Sequence, residues 1–170
     1  MYNNISMTNA KMKSEIMTKS EQETIEMGGS LLREALLEAR DNQPLIFCLY
    51  GELGTGKTQF VKGIADELGL SGITSPTFLL MRKFILAKQL SKHTKKKKRY
   101  FFHIDCYRIY DSEEARQISL DKTIASPRAI VAIEWAERIE EIIPQPYWEI
   151  KFEYEREAAN NRKISIKKIE

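Results

Sequence analysis

An eight-residue glycine-rich segment at residues 51–58, with the sequence GELGTGKT, restricts this chain to a small group of folds. One glycine, four further residues, a second glycine, a lysine and a threonine form the pattern of a phosphate-binding loop. The loop follows a continuous apolar run, Leu45–Tyr50, and precedes a helical pattern at 57–68 that ends at Gly69. Because a strand, this turn and a helix follow one another directly, the pattern indicates an α/β fold whose sheet contains parallel strands.

The rest of the chain continues this alternation of helices and strands. Ser20 and Glu23 match a capping box ahead of apolar residues at helical spacing, which predicts a helix to about Arg40. Apolar or alternating runs predict strands at 77–86, 100–105, 129–133, 148–154 and 163–169, and a short helix begins at 111–114. We therefore predict a P-loop NTPase-like α/β layered fold in which helices flank a mixed central β-sheet.

The length of 170 residues favours one domain. Residues 1–14 lack periodicity and are expected to form a flexible tail, with 15–170 as a single P-loop domain. Between two predicted strands we expect a basic hairpin insertion near 86–99. Residues 82–99 contain nine Lys or Arg and no Asp or Glu, so the remainder carries −6 although the whole chain carries +3. A concentrated basic segment is better suited to a polyanionic partner than the net charge suggests.

The cysteines and the apolar stretches indicate a protein of the reducing cytosol. Cys48 and Cys106 each lie in a strand-like apolar run, which favours buried reduced thiols over a disulfide or a metal cluster. No apolar stretch approaches the roughly 18 residues of a membrane-spanning helix. The first 27 residues contain no apolar signal-peptide core. We therefore expect a cytoplasmic protein without membrane contact.

Two carboxylates come at the ends of predicted strands. Asp105 ends the sequence FFHID, and Glu134 ends the sequence IVAIE. Because ligands bind at the carboxyl ends of strands in open α/β sheets, both acids are candidates to bind Mg²⁺ or to orient an attacking water. In the loop, Lys57 would contact the β- and γ-phosphates, and the Thr58 hydroxyl would coordinate Mg²⁺. The sequence does not divide the two roles between the acids.

Three other classes of protein compete with a nucleotide hydrolase. A small P-loop kinase usually has an arginine-rich lid, whereas the basic segment here is rich in lysine. A GTPase has an Asn-Lys-x-Asp signature, which is absent, and residues 66–69 match a switch motif only by spelling because they end a helix. A basic RNA-binding module would interleave aromatic residues with its cations for base stacking. The kinase and the RNA-binding module are kept as alternatives.

Five segments in this order resemble the TsaE family of bacterial ATPases for tRNA threonylcarbamoyladenosine (t6A) biosynthesis. They are Glu23-Thr24, the loop at 51–58, Ser75-Pro76-Thr77-Phe78, His103-Ile104-Asp105-Cys106-Tyr107-Arg108 and Glu134-Trp135. The resemblance covers about residues 20 to 166 and implies a P-loop ATPase required to modify adenosine 37 in tRNAs reading ANN codons. It implies ATP or ADP with Mg²⁺ as cofactors and slow hydrolysis without partners. The implied partners are the threonylcarbamoyl-transferase subunit and its inactive-homologue companion, of TsaD and TsaB type.

The resemblance also implies roles for individual residues. Catalytic roles fall to Lys57, Asp105 and Glu134, and metal binding to Thr58, Glu134 and Asp105. Nucleotide contacts fall to Thr24, Gly51, Glu52, Leu53, Gly54, Thr55, Gly56, Lys57, Thr58, Gln59 and Arg162, with Arg156 as a competitor for the last. Switch or partner contacts fall to Ser75, Pro76, Thr77, Trp135, Tyr107 and Arg108. For Trp135, Tyr107 and Arg108, packing on the sheet is the alternative. His103 is more often packed or exposed than catalytic.

One segment departs from the family pattern. The connection between Phe84 and Tyr100 is longer and more basic than usual, and it contains Lys95-Lys96-Lys97-Lys98-Arg99. A solvated lysine loop is the simple interpretation, because added loop length costs little free energy. The alternative is that the basic segment 82–99 contacts tRNA phosphates, since lysines that neutralise phosphates bind nucleic acid without sequence choice. Contact with tRNA is otherwise expected to be indirect.

Overall fold

The computed structural model describes residues 13–76, 79–86, 98–155 and 161–170. One sheet of seven strands has the order β1-β7-β6-β2-β5-β4-β3. The strands are β1 Lys13–Thr18, β2 Leu45–Tyr50, β3 Met81–Ile85, β4 Tyr100–Asp105, β5 Ala129–Glu134, β6 Tyr147–Tyr154 and β7 Arg162–Ile169. The helices are α1 Glu21–Glu38, α2 Lys57–Glu67, α3 Ser112–Gln117 and α4 Leu120–Ile124, with 3₁₀ turns at Cys106–Arg108, Ala136–Arg138 and Glu140–Ile142. In the described part of the chain, no helix has the length and apolarity needed to cross a membrane.

The sheet is mixed, as predicted. Strand β2 runs parallel to β5 and β6, and β4 runs parallel to β5. The pairs β1–β7, β6–β7 and β3–β4 are antiparallel, and β3 with β4 forms the hairpin predicted around the basic insertion. The continuous apolar sequences of β2 and β5 are explained by burial on both faces of the sheet. The predicted α/β class and the flanking helices are therefore confirmed.

Two hydrophobic cores lie on opposite faces of the sheet. Helices α1 and α2 pack on one face around Phe47, Phe60 and Phe101, while α3 and α4 pack on the other. Cys48 and Cys106 are buried and free, as predicted from their apolar surroundings. Burial raises the pKa of the Cys48 thiol and raises the pKa of Cys106 to about 12. Both thiols are therefore packing groups rather than reactive ones.

The chain departs from the predicted element boundaries at three places. Strand β1 begins at Lys13, inside the predicted tail, and residues 1–12 lie outside the described residues. Strand β3 begins at Met81 rather than at residue 77, while 77–78 and most of the predicted insertion, 87–97, are likewise not described. Helix α4 was not predicted, because its five residues are too few for a helical period to be visible.

One lysine of the basic segment belongs to the interior. Lys98 is only 6% exposed, and its ammonium donates hydrogen bonds to the main-chain carbonyls of Arg40 at 3.1 Å, Pro127 at 2.8 Å, and Gln43. It therefore joins the end of α1 to the loops that precede β2 and β5. This corrects the inclusion of Lys98 among the predicted tRNA contacts, since a buried ammonium cannot neutralise a phosphate. The expectation for residues 95–97 falls outside the described residues.

Helices α1 and α2 approach each other through glycines. A Cβ atom built on Gly63 would lie 1.8 Å from Ile25 O, and one built on Gly28 would lie 2.1 Å from Phe60 O. Only a residue without a side chain fits at either position. This close approach sets the first turn of α1, which contains Thr24, beside the glycine-rich loop that precedes α2.

Replacing Gly63 with alanine is expected to lower the free energy of unfolding by about 2 kcal/mol, because the new methyl group must push α1 away from α2. Chemical unfolding followed by circular dichroism measures the loss. The matched control is Gly29→Ala on the facing helix, where the added Cβ would lie 3.3 Å from Gly63 O. We expect this control to stay within about 1 kcal/mol of wild type, since helix propensity offsets the tight contact. Equal losses in the two variants would contradict the packing argument.

Candidate functional site

A cleft of about 720 Å³ opens at the carboxyl ends of β2, β4 and β5. Its lining contains thirteen of the predicted site residues: Thr24, Leu53, Gly54, Gly56, Lys57, Thr58, Gln59, Ser75, Asp105, Tyr107, Glu134, Trp135 and Arg162. Three further lining residues, Lys19, Ser20 and Glu21, come from the junction of β1 and α1 and were not predicted. The volume is within the range of ordinary small-molecule sites.

The glycine-rich loop has the backbone that a phosphate cradle needs. Gly51 and Gly56 have φ angles of 135° and 103°, which L-residues rarely adopt, and a Cβ on Gly51 would lie 2.5 Å from Phe152 O. Gly56 is the N-cap of α2 and provides no side chain to cap the helix. The amides and positive end of α2 are therefore free of a capping side chain at the cleft, where they can bind an anion.

The Lys57 side chain forms hydrogen bonds with the main chain of its own loop. Its ammonium donates hydrogen bonds to Glu52 O at 2.8 Å and to Gly51 O, and it lies 4.1 Å from the centroid of the Trp135 ring. Burial lowers the pKa of Lys57, and the nearby carboxylates of Glu134 and Asp105 act in the opposite direction. A bound polyphosphate would provide this buried cation with a full counter-charge in place of neutral carbonyls.

Thr58 and Glu134 form the polar floor of the cleft. The Thr58 hydroxyl lies 3.0 Å from Glu134 Oε1 and 2.9 Å from Oε2. Glu134 is opposite Asp105 in the β4–β5 register, so both strand-terminal acids reach the same edge. A hydroxyl and a carboxylate are the oxygen donors that Mg²⁺ prefers when phosphates and water complete its shell. The described residues contain no group of three or more His, Cys, Asp or Glu able to hold a metal alone. The donor set thus fits a metal that arrives with a nucleotide.

Asp105 has partners different from those of Glu134. Its Oδ2 accepts a hydrogen bond from the Ser75 hydroxyl, and its Oδ1 accepts one from the Tyr107 main-chain N–H at 3.0 Å. Ser75 lies in the segment between α2 and β3, and the neighbouring Pro76 is buried. Thr77, the third residue of the predicted switch segment, lies outside the described residues. Asp105 therefore connects the end of β4 to this segment.

His103 contributes to the site although it does not line the cleft. The ring is 0% exposed, and its Nε2 lies 2.7 Å from Glu134 Oε1. Strand alternation places residues 103 and 105 on the face of the sheet that α2 covers, and Glu134 projects from the same face of β5. The alternation was visible in the sequence, but the pairing of β4 with β5 was needed to identify the partner.

Helix α1 and strand β7 also contribute residues to the cleft lining. Thr24 is buried and its hydroxyl lies 2.8 Å from that of Thr18 and donates to Ser20 O at 3.1 Å. A Cβ on Gly56 would lie 3.6 Å from Thr24 Cγ2 and 3.9 Å from Arg162 Cγ, so both residues adjoin the loop. The competing Arg156 lies outside the described residues.

Tyr154 was missed by sequence reasoning, because its alternation indicated only an ordinary strand residue. Its hydroxyl donates to Leu53 O at 2.6 Å, and its ring lies 5.0 Å from the Arg162 guanidinium. The side chain therefore links β6 to the loop and orients a cleft arginine. Gly51, Glu52 and Thr55 do not line the cleft, and Thr55 instead donates to Glu52 O at 2.8 Å within the loop.

Two aromatic residues form the rim beyond the acids. Trp135 has a φ of 58°, a left-handed conformation uncommon for a bulky residue, and its ring lies 5.1 Å from that of Tyr107. The Tyr107 side chain is exposed at the mouth of the cleft. Arg108 is exposed but is not part of the cleft lining. The structure thus brings Trp135 and Tyr107 to the site and places Arg108 outside it.

Comparison with known proteins finds bacterial relatives that share one name. The chain is 36% identical over 102 residues to the tRNA threonylcarbamoyladenosine biosynthesis protein TsaE of Borreliella burgdorferi, covering 59% of this chain and 66% of that protein, just under two thirds. It is 27% identical over 133 residues to the protein of the same name from Haemophilus influenzae, covering 78% and 77%.

A solved structure and a family model agree with these relatives. The crystal structure of Bacillus subtilis YdiB superimposes with a TM-score of 0.69 at 21% identity, covering 96% of this chain and 90% of that chain, which supports the fold. The model of the family described as threonylcarbamoyl adenosine biosynthesis protein TsaE matches residues 18–164, most of the chain. With its glycine-rich loop, strand-terminal acids and cleft inside the matched region, this chain belongs to the TsaE family.

Proposed function

We propose that this chain is a P-loop ATPase that acts in the threonylcarbamoylation of adenosine 37 in tRNAs reading ANN codons. The observation that carries the proposal is the convergence of Lys57 with the Thr58–Glu134 pair in one cleft at the start of α2. A lysine, a hydroxyl and a carboxylate in this arrangement are the parts with which P-loop proteins bind a nucleotide triphosphate and its metal. Membership of the TsaE family is the reason for placing this activity in threonylcarbamoyladenosine biosynthesis.

ATP or ADP would bind with its phosphates along the loop. The amides of the loop and the first turn of α2 would face the phosphate chain, and Lys57 would exchange its carbonyl partners for phosphate oxygens. Thr58 and Glu134 would hold Mg²⁺, which when bound neutralises charge on the phosphates. Thr24 and Arg162 adjoin Gly56 of the loop and line the same cleft, so they would contact the nucleotide from that side of the loop.

Asp105 is the residue best placed to act on water. Its carboxylate lies at the end of β4 beside Glu134, and it is held by Ser75 and the Tyr107 N–H. A carboxylate fixed by two donors can orient a water molecule towards a terminal phosphate and accept its proton. Since Ser75 belongs to the segment between α2 and β3, a change in that segment would move Asp105 as well. This gives the partners a route to the reacting groups.

The partners proposed are the transferase subunit and its inactive-homologue companion, with tRNA in the same assembly. Exposed apolar side chains surround the cleft mouth, including Leu53 on the loop and Tyr107 beside Trp135. Apolar groups at the rim of a polar cleft suit a protein partner that covers bound nucleotide. Such a partner would exclude water from the cleft and complete the arrangement for hydrolysis.

The test is ATP turnover by the purified chain with and without both partner proteins and tRNA. We expect slow turnover by the chain alone and a rise of at least about tenfold in the assembly, together with modified adenosine, because closure by partners completes the site. Phosphate release and nucleoside analysis follow the two products. Turnover by the isolated chain equal to that of the assembly would contradict partner activation, and absence of ATP binding would contradict the proposed function itself.

A further inference from the structure

The buried contact between His103 and Glu134 is not explained by packing alone. A fully buried histidine usually has hydrogen-bond partners for both ring nitrogens. Here Nε2 lies 2.7 Å from Glu134 Oε1, whereas Nδ1 is buried without a partner among the described residues. In a neutral ring, the observed contact makes Nε2 the protonated nitrogen, and Nδ1 is left as an acceptor. The ring therefore keeps its hydrogen bond to Glu134 although its buried Nδ1 atom has no partner among the described residues.

The geometry explains what this bond does to the carboxylate. Oε1 of Glu134 receives the His103 Nε2–H and also lies 3.0 Å from the Thr58 hydroxyl, whereas Oε2 contacts Thr58 at 2.9 Å. Two donors on different elements, one on β4 and one on α2, thus hold the same carboxylate. A glutamate held only by Thr58 would be free to rotate about its terminal torsion, which has a broad and shallow profile.

We infer that His103 is a positioning residue that orients the Glu134 carboxylate for the Mg²⁺ of a bound nucleotide. The inference rests on the proposed function, because it concerns the metal that accompanies ATP or ADP. Partners that hydrogen-bond a metal-binding carboxylate fix its orientation, and their loss commonly weakens metal affinity or activity by about 10- to 100-fold. His103 does not touch the nucleotide itself, since it lies behind Glu134 and away from the cleft lining.

The experiment measures ADP affinity by titration calorimetry, once in EDTA and once in excess Mg²⁺. In wild type, Mg²⁺ is expected to strengthen ADP binding. In His103→Leu, we expect ADP affinity in EDTA to stay within about twofold of wild type, while the strengthening by Mg²⁺ falls by about tenfold. In His103→Gln the strengthening should largely return, because the glutamine amide nitrogen is the same number of bonds from Cβ as Nε2.

A second pair of variants keeps the test decisive if leucine destabilises the fold. His103→Asn is polar but one bond shorter than His103→Gln, so its amide cannot reach the Nε2 position. Asparagine is expected to lose the Mg²⁺ effect and glutamine to keep it, with thermal unfolding of the nucleotide-free proteins reporting any difference in stability. An equal Mg²⁺ effect in wild type, leucine and asparagine variants would overturn the inference alone. Absence of ADP binding in wild type would overturn both this inference and the proposed function.

Discussion

Lys57→Ala is expected to weaken ATP binding by about 10- to 150-fold. Lys57 is only 4% exposed and lies at the start of α2, where its ammonium would face the phosphates of the proposed nucleotide. Charge-assisted hydrogen bonds contribute about 1.5–3 kcal/mol, and each 1.4 kcal/mol is a factor of ten in affinity. Titration calorimetry with ATP and Mg²⁺ measures the change directly.

The same substitution removes the donor that bonds to Gly51 O and Glu52 O, so its effect on the free loop must be separated from its effect on binding. Thermal unfolding of the nucleotide-free variant provides that separation. Lys62→Ala is the matched control, because it removes a positive charge from the same helix at a position that does not line the cleft. We expect ATP affinity of the control to stay within about twofold of wild type, because Lys62 is half-buried outside the cleft lining, where solvent and salt still screen its charge from a bound phosphate. ATP affinity unchanged in Lys57→Ala would refute the phosphate site.

The parts of the fold that could be predicted from sequence are those with local causes. The loop at 51–58, the buried strand β2 and the cap Ser20 follow from residue types and spacing within a few positions, and Ser20 does accept from the Glu23 N–H at 3.1 Å. Strand β1 has no such signal, because only Ile16 and Met17 are apolar in KSEIMT. It is a strand because it pairs with β7, with Ile16 opposite Ile164, and that pairing joins distant parts of the chain.

Prediction of the site from sequence is limited in the same way, by contacts between distant parts of the chain. Sequence identified both strand-terminal acids but could not divide their roles, because the division depends on contacts across the sheet. In the structure Glu134 contacts Thr58 of α2, whereas Asp105 contacts Ser75, which favours metal binding by Glu134 and water orientation by Asp105. The burial of Lys98 is a further case, since carbonyls from two separate connections, Arg40 and Gln43 before β2 and Pro127 before β5, converge on a residue that the sequence presents as one of a lysine run.

Asp105→Asn is expected to lower ATP turnover by about 100-fold while changing ATP affinity by less than about threefold. The substitution removes the negative charge but keeps the shape of the side chain. The asparagine oxygen can still accept from the Tyr107 N–H, and its amide can donate to the Ser75 hydroxyl, so both neighbours keep a partner. What is lost is an acceptor basic enough to take a proton from water, and positioned proton acceptors commonly contribute about 10²- to 10⁴-fold to the rate.

A comparison with Ser75→Ala separates the charge of Asp105 from its orientation. Loss of the Ser75 hydroxyl leaves the carboxylate charged and still bonded to the Tyr107 N–H, so we expect a smaller fall in turnover, about three- to tenfold. ATP turnover by the double variant is expected to stay within about twofold of turnover by Asp105→Asn alone, because the Ser75 hydroxyl acts through Asp105. Turnover is measured in the assembly with both partner proteins, where the proposed function predicts the highest rate. ATP turnover by Asp105→Asn at the wild-type rate would contradict a water-orienting role for Asp105. The contact of Asp105 with Ser75 would then be structural only.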